Sequence, residues 1–310
     1  MTLASVIIPS RGGAQRLPTL LSALAAQDDP SWEAIVVIDG DIDNSASVVA
    51  RYERQLPVRS IVFPENRGRV AALNAGLESA AGDVLIRCDD DMEPRPDYVA
   101  QHRRAHQGEP CGVVGLPLNV CLPTPYWRAY GEHVDAEFRR QAYASPPERT
   151  WRYWGGNVSV SRSVHEEVGP YSTDFRGYGY EDVDYGYRLH RAGVPVRLVR
   201  ELETRHHMAS VTTQIRARRG MDSGAARRIF SGRHGTDVLG DPWDLEAGAW
   251  NQAVKALARG LTPRRTATLA RGVDRAAAVL PRPVSRKLIA LVVESAALAG
   301  YGAPDKRRTH

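Results

Sequence analysis

From residue 3 to residue 88 the chain switches regularly between short β-branched runs and longer stretches of helical spacing. That alternation predicts βαβ units around a mostly parallel sheet. "LASVIIP" reads as a first strand, and "RLPTLLSALAAQ" sets Leu17, Leu20, Leu21 and Leu24 on one helical face. "EAIVVID" is a second strand, "SASVVARYERQ" a second helix and "VRSIVFP" a third strand. Asn66 is the expected N-cap of the helix through "GRVAALNAGLESA", and Gly82 closes it ahead of a fourth strand, "DVLIRC". Between about 95 and 200 the pattern is mixed. Helices are expected at "YVAQHRRAH", "YWRAYGEHVDAEFRRQ" and "EDVDYGYRLHRAG", and strands at "CGVVGLP", "NVSVSR" and "VPVRLV". Beyond 212 the chain is Ala/Arg-rich and helical, with turn signals at 231–242, 262–263 and 281–283.

Polar residues gather where the strands end: Ser10 and Arg11 after the first, Asp39 and Asp41 after the second, Asp89, Asp90 and Asp91 after the fourth. Ligands of open α/β sheets bind beyond the carboxyl ends of the strands, so these clusters are expected to share one crevice. Three adjacent carboxylates repel one another, and a divalent cation or a set of hydrogen-bond donors relieves the repulsion. Asp89 and Asp91 can face the same side of an extended segment, and hard oxygen ligands suit Mg²⁺ or Mn²⁺. A solvated acidic turn is the alternative. The run Asp39, Asp41, Asp43 imitates the start of a calcium loop, but Asn44 and Ala50 stand where glycine and glutamate are required. "RGG" at 11–13 lacks the dinucleotide spacing. A second acidic cluster, "GYGYEDVDYGYRLHRAG", opens a helix, where acids also suit the helix dipole. Its flanking glycines suggest a loop that delivers Glu181 and Asp182 into a pocket.

Charge changes the picture further. The net charge of +5 conceals a net of −6 over residues 1–204 and +11 over 205–310. Three cysteines without zinc spacing indicate neither a disulfide framework nor a structural metal, which points to a reducing cytoplasm. Leu3 to Pro9 is followed at once by Arg11, so no signal peptide is expected, and no run of 18 apolar residues suggests a membrane span.

The segments "SVIIPSRGGAQRLPTLLSAL", "EAIVVIDGDIDNS" and "ENRGRVAALNAGLESAAGDVLIRCDDD" resemble the family 2 glycosyltransferases. "WGGNVSVSRSVHEEVGPYSTDFRGYGYEDVDYGYRLHRAG" is similar to the catalytic segment of galactosyltransferase-like enzymes. Together they cover about residues 3–210. The resemblance implies an α/β GT-A fold over 1–211, with a nucleotide-sugar-binding part (1–115) and an acceptor and catalytic part (116–211), which leaves the Ala/Arg-rich run as a helical basic extension (212–310). It places Pro9, Ser10, Arg11, Asp39, Asp41, Arg69, Asp89 and Asp90 around the nucleotide sugar. Trp154, Gly155, Gly156, Asn157 and Tyr178 fall near the sugar and acceptor. Asp91, Asp89 and His206 are implied for Mn²⁺ or Mg²⁺, with His207 the neighbouring alternative, and Asp182 is implied as the base beside Glu181. "IDGD" in place of "DDGS", and Tyr178 and Tyr180 in place of tryptophan-glycine, depart from the family pattern.

The implied reaction is metal-dependent, inverting transfer from a nucleotide sugar, a UDP-sugar first, to a hydroxyl of a glycan, lipid-linked or natural-product acceptor. A sugar nucleotidyltransferase and a noncatalytic carbohydrate-binding or scaffold protein are the alternatives. The basic tail, with the apolar stretch 284–300, suggests either peripheral contact with the inner membrane face or packing in a core or a homodimer. No nucleic-acid motif is present.

Overall fold

The computed structural model describes residues 2–207 and 211–303. In chain order the first elements are β1 (Ala4–Ser10), α1 (Leu17–Ala25), β2 (Trp32–Asp39), α2 (Ser45–Tyr52), β3 (Val58–Phe63), α3 (Arg69–Ser79) and β4 (Val84–Cys88). β1, β2 and β4 are buried along their whole length apart from Glu33, which is why they read as near-continuous apolar runs. β5 (Met92–Glu93), α4 (Tyr98–Ala105), β6 (Gly112–Val114), β7 (Pro117–Val120), α5 (Glu132–Ala144), β8 (Asn157–Ser161), α6 (Arg162–Val168), α7 (Glu181–Arg191), β9 (Val196–Leu198) and β10 (Thr204–His207) follow.

Seven strands form one sheet in the order β3-β2-β1-β4-β8-β6-β9. β3, β2, β1 and β4 run parallel, and β8 lies antiparallel between β4 and β6. The β4–β8 register sets Cys88 opposite Asn157, which carries the Gly155-Gly156 turn to the aspartates at the end of β4. A second sheet, β5-β10-β7, pairs His206 with Met92 on one side and with Asn119 on the other.

One expected boundary moves. Helix α3 begins at Arg69 rather than behind Asn66, and its N-cap is Gly68 at φ +90°. The capping acceptor comes from another strand: the Asp39 carboxylate accepts the N–H groups of Arg67 (2.5 Å) and Gly68 (2.9 Å).

Packing divides the chain into two units: residues 1–120, 139–176 and 181–207, and residues 121–138, 177–180 and 208–310. Sequence order alone suggested a single cut at 211. Residues 121–138 pack instead with the C-terminal helices, because Tyr126, Ala129 and Tyr130 share a buried cluster with Ala217, Ile289 and Val292. Residues 304–310, counted in the extension, lie outside the described residues. The second unit contains α8 (Thr213–His234), α9 (Ala249–Gly260), α10 (Pro263–Ala277) and α11 (Arg282–Gly302). Thr212 and Thr262 cap α8 and α10 with their hydroxyls, which accept the amides of Ile215 and Arg265. α8 and α11 meet at backbone contact, since a Cβ on Gly224 would lie 2.0 Å from the Ala297 carbonyl oxygen. From Ile289 onward the apolar stretch 284–300 packs in the core: Ile289, Val292, Val293, Ala296 and Leu298 are buried, whereas Val284 is exposed. Among the described residues no helix is long and apolar enough to cross a membrane.

Candidate active site

At the carboxyl ends of β1 and β2 a cavity of about 230 Å³ is lined by Pro9, Ser10, Arg11, Asp39, Arg69 and Asp90, together with Arg16, Asn66, Gly68 and Ala72. Six of the eight residues expected around the nucleotide sugar therefore meet in one place. Asp41 lies outside the lining: it is exposed, and its carboxylate accepts the Ala46 amide at the start of α2 (3.3 Å). Asp90 is buried and already engaged. It accepts the Ser10 hydroxyl (2.6 Å) and a bidentate contact from Arg16, Nε at 3.0 Å and Nη2 at 2.8 Å. Burial raises its pKa, and Arg16 opposes that shift. Arg16 carries no signal in the sequence beyond its charge.

The second acidic cluster reaches the first through a residue that pattern reading passed over. Arg87, on β4 and 3% exposed, donates Nε to Asp89 Oδ1 (3.0 Å) and Nη1 to Asp182 Oδ1. Its guanidinium also lies 5.8 Å from the centre of the Tyr171 ring. A lone charge inside the apolar run "VLIRC" was the available clue, since a buried cation requires buried counter-charge. Burial alone would raise the pKa of Asp89, but Arg87 and Arg69 reverse this and hold it below the usual carboxylate range. Asp182 moves the other way: burial lifts it, Arg87 opposes, and Asp89 adds repulsion. Glu181, 2% exposed, is pushed up to about 7 by burial and by Asp182, with Arg69 Nη1 3.6 Å away. One of its carboxylate oxygens, Oε2, is buried without a hydrogen bond.

Gly156 sits against Asp89. Its carbonyl accepts the Asp89 amide (2.9 Å), and a Cβ there would lie 2.6 Å from Asp89 Oδ2, so only glycine fits without displacing that carboxylate. Gly155 precedes it in the same turn. Asn157 and Trp154 differ from expectation, because both side chains are spent inside the protein. Asn157 Oδ1 accepts Tyr98 Oη (2.9 Å) and faces His102 Nε2 (3.2 Å), while Nδ2 donates to the Leu202 carbonyl (2.8 Å) and Thr204 Oγ1 (3.0 Å). That exhausts the amide's capacity. Trp154 is buried, donates Nε1 to Tyr171 Oη (3.0 Å) and stacks on Tyr185. Both hold the turn in place rather than facing a ligand. Tyr178 belongs to the helical unit, where the Arg219 guanidinium lies 5.1 Å from its ring centre.

Of the two adjacent histidines, His206 faces the aspartates. Its Nε2 lies 3.2 Å from Asp91 Oδ2, and its Nδ1 is 2.6 Å from Asn119 Oδ1. The ring therefore lies between an amide oxygen and a carboxylate oxygen, within ligating reach of Asp91. His207 turns instead to Glu93 Oε2 (2.8 Å). Asp91 Oδ1 is buried with no hydrogen-bond partner. Among the described residues no cluster of three or more ligating side chains is preassembled.

A mostly parallel sheet interrupted by an antiparallel strand, with its acidic residues at the strand ends, is the GT-A glycosyltransferase fold. Residues 5–169, more than half of the chain, match the family described as glycosyl transferase family 2, and residues 137–211 match the one described as N-terminal domain of galactosyltransferase. The chain belongs to glycosyl transferase family 2.

It is 32% identical over 250 residues to validoxylamine A glucosyltransferase of Streptomyces hygroscopicus subsp. jinggangensis, an alignment covering 68% of this chain and 58% of that protein. It is 28% identical over 251 residues to glycosyltransferase YfnE of Bacillus subtilis, covering 66% and 64%. The chain therefore spans about three fifths of these relatives' lengths. An undecaprenyl-phosphate 4-deoxy-4-formamido-L-arabinose transferase of Pseudomonas fluorescens is 36% identical over 186 residues, covering 58% and 48%. Among solved structures, a mannosyltransferase of Pyrobaculum calidifontis in complex with GDP-Man and Mn²⁺ superposes with a TM-score of 0.64 at 20% identity, covering 96% of this chain and 87% of that one. TarS 1–349 of S. aureus with UDP-GlcNAc superposes at 0.53 and 14% identity, covering 93% and 90%.

Proposed function

We propose that the chain transfers a sugar from a nucleotide-sugar donor, a UDP-sugar first, to a hydroxyl of a glycan, lipid-linked or natural-product acceptor, with inversion at the anomeric carbon. The observation that carries this reading is the shared guanidinium: Arg87 ties Asp182, from the second acidic cluster, to Asp89, from the first. That link supports reading the two clusters as a base beside a leaving-group site. The nucleotide fits the cavity beyond β1 and β2, where Asp39 orders the Arg67-Gly68 turn and Arg11 and Arg69 supply positive charge.

The residues present suit a divalent cation. Asp91 has an orphaned buried oxygen, His206 brings Nε2 to 3.2 Å from its other oxygen, and Asp89 lies close in sequence. Mixed carboxylate and imidazole ligation accommodates Mn²⁺, and Mg²⁺ with more water. When bound, the cation would neutralise the diphosphate that departs from the anomeric carbon. Asp182, whose proton affinity is raised by burial, takes the proton from the acceptor hydroxyl as the new carbon–oxygen bond forms. Attack from the face opposite the departing diphosphate gives one displacement and an inverted product. Gly156 and Arg87 keep Asp89 and Asp182 oriented.

A thermal-shift screen against UDP-, GDP-, dTDP- and CMP-sugars, with and without Mn²⁺, tests the donor site. One nucleotide class should stabilise the protein in a Mn²⁺-dependent way. The shift should be lost in Asp91→Ala and His206→Ala and kept in His207→Ala. Release of pyrophosphate from a nucleoside triphosphate and a sugar phosphate would move the reading to a nucleotidyltransferase. Absence of any nucleotide binding would favour a noncatalytic protein.

A further inference from the structure

The turn joining α10 to α11 bears Val279, at 84% the most exposed large apolar side chain among the described residues. Leu280 and Val284 are 37% and 45% exposed, and every residue from Ala278 to Val284 is exposed. Six of those seven are apolar or proline, and the seventh is Arg282. The turn is nonetheless ordered: Leu280 N–H donates to the Ala276 carbonyl (2.9 Å), and Ser285 N–H to that of Pro281 (3.0 Å). An isolated exposed valine needs no explanation, but a contiguous apolar tip held in one conformation marks an interaction surface.

The tip wears a cationic collar. Arg271 and Arg275 lie on the last turns of α10, and Arg282, Arg286 and Lys287 on the first turns of α11; all five are exposed. At 1.5 Å per residue the collar lies within roughly 10 Å of the tip along the helix axes. None of the five forms an ion pair among the described residues. From 263 to 287 the chain holds seven Lys and Arg and a single acid, Asp274, whose carboxylate is occupied by the amides of Thr213 and Gln214. Neither α10 nor α11 has an acid in its first turn. Positive charge at a helix N-terminus opposes the dipole, so helix stability does not call for Arg282, Arg286 and Lys287.

We propose that this turn docks on an anionic lipid bilayer. Val279, Leu280 and Val284 enter the headgroup–acyl boundary, and the five cations meet the lipid phosphates above them. The depth of the collar matches the 5–10 Å to which interfacial helices embed their apolar faces. Charge complementarity selects an anionic over a zwitterionic surface. The stretch from 263 to 300 contains no aromatic residue on which a nucleic-acid base would stack. The proposal does not depend on the transfer reading, because every residue it uses lies in the helical unit.

The test is flotation of the full chain with vesicles of phosphatidylcholine alone and of phosphatidylcholine mixed with phosphatidylglycerol, with circular dichroism to verify folding. The wild type should float only with the anionic vesicles. Val279→Ser/Leu280→Ser/Val284→Ser should lower partitioning at least tenfold, and Arg275→Gln/Arg282→Gln/Arg286→Gln should abolish the anionic preference. Failure of the wild type to float, or equal flotation of the serine variant, overturns the proposal. So does loss in the serine variant of a dimer measured by light scattering, or of RNA binding, without loss of vesicle binding.

Discussion

Replacing Arg87 with methionine keeps the apolar stem of the side chain and removes the charge. The guanidinium is 3% exposed, and the two carboxylates that share it, on Asp89 and Asp182, are 20% and 18% exposed. Breaking a buried ion pair from one side costs about 3–5 kcal/mol, because the partner is left charged and unpaired. Both carboxylates keep some access to water, which places the expectation at the lower end, about 3 kcal/mol. Asp182→Asn in the Arg87→Met background then removes one of the stranded charges, so the double variant should be about 1–2 kcal/mol more stable than the sum of the two single losses. Urea denaturation of the four proteins at constant m-value measures this cycle. An activity arm adds a sign: without the cation, Asp182 holds its proton more tightly, so the acidic limb of the rate profile moves to higher pH. Single losses that add to within about 0.5 kcal/mol would refute the coupling of the two acidic clusters through Arg87.

His102 is fully buried and its pKa is lowered from 6.5 to about 3 by that burial. Below pH 6.5 the unfolded chain takes up a proton that the folded chain refuses, so stability falls as the pH drops from 6.5 toward 3, by about 3 kcal/mol near pH 4. His102→Gln should lessen that slope in a denaturation series, with His106, whose pKa burial lowers to about 4, supplying part of the remainder, and an unchanged slope would remove His102 as a source. Gly156→Ala would place a Cβ 2.6 Å from Asp89 Oδ2 and push the carboxylate aside. Steady-state kinetics should show a loss in kcat/KM of roughly tenfold or more, equivalent to about 1.4 kcal/mol of transition-state stabilisation, and an unaltered rate would show that Asp89 tolerates displacement.

Local patterning carried the first half of the fold because β1, β2 and β4 are buried on both faces and so are largely apolar, while α1 buries four leucines. The order of the later strands was not legible. Whether β8 pairs with β4 or with β9 depends on long-range register, and "NVSVSR" reads the same in either place. The cap of α3 failed for a similar reason, since its acceptor is Asp39, some thirty residues upstream on β2. Strand-end acids and the Gly155-Gly156 turn were visible as motifs. The partners that give them their state were not, because Arg87 and Arg16 have no motif of their own and Asn157 meets its four partners only after folding. The resemblance favoured His206 over His207, and the β10 register alternates the two side chains between Asp91 and Glu93.

Asp182→Asn isolates the proposed base, since an amide keeps the shape of the side chain and loses the basicity. The measurement is initial-rate sugar transfer from the donor that stabilises the protein, alongside calorimetric binding of the same donor with Mn²⁺. Transfer should fall roughly 10²-fold or more, as removal of a general base brings, with donor affinity essentially unchanged. Transfer at the wild-type rate, or loss of donor binding in step with activity, would contradict the assignment of Asp182 as the base.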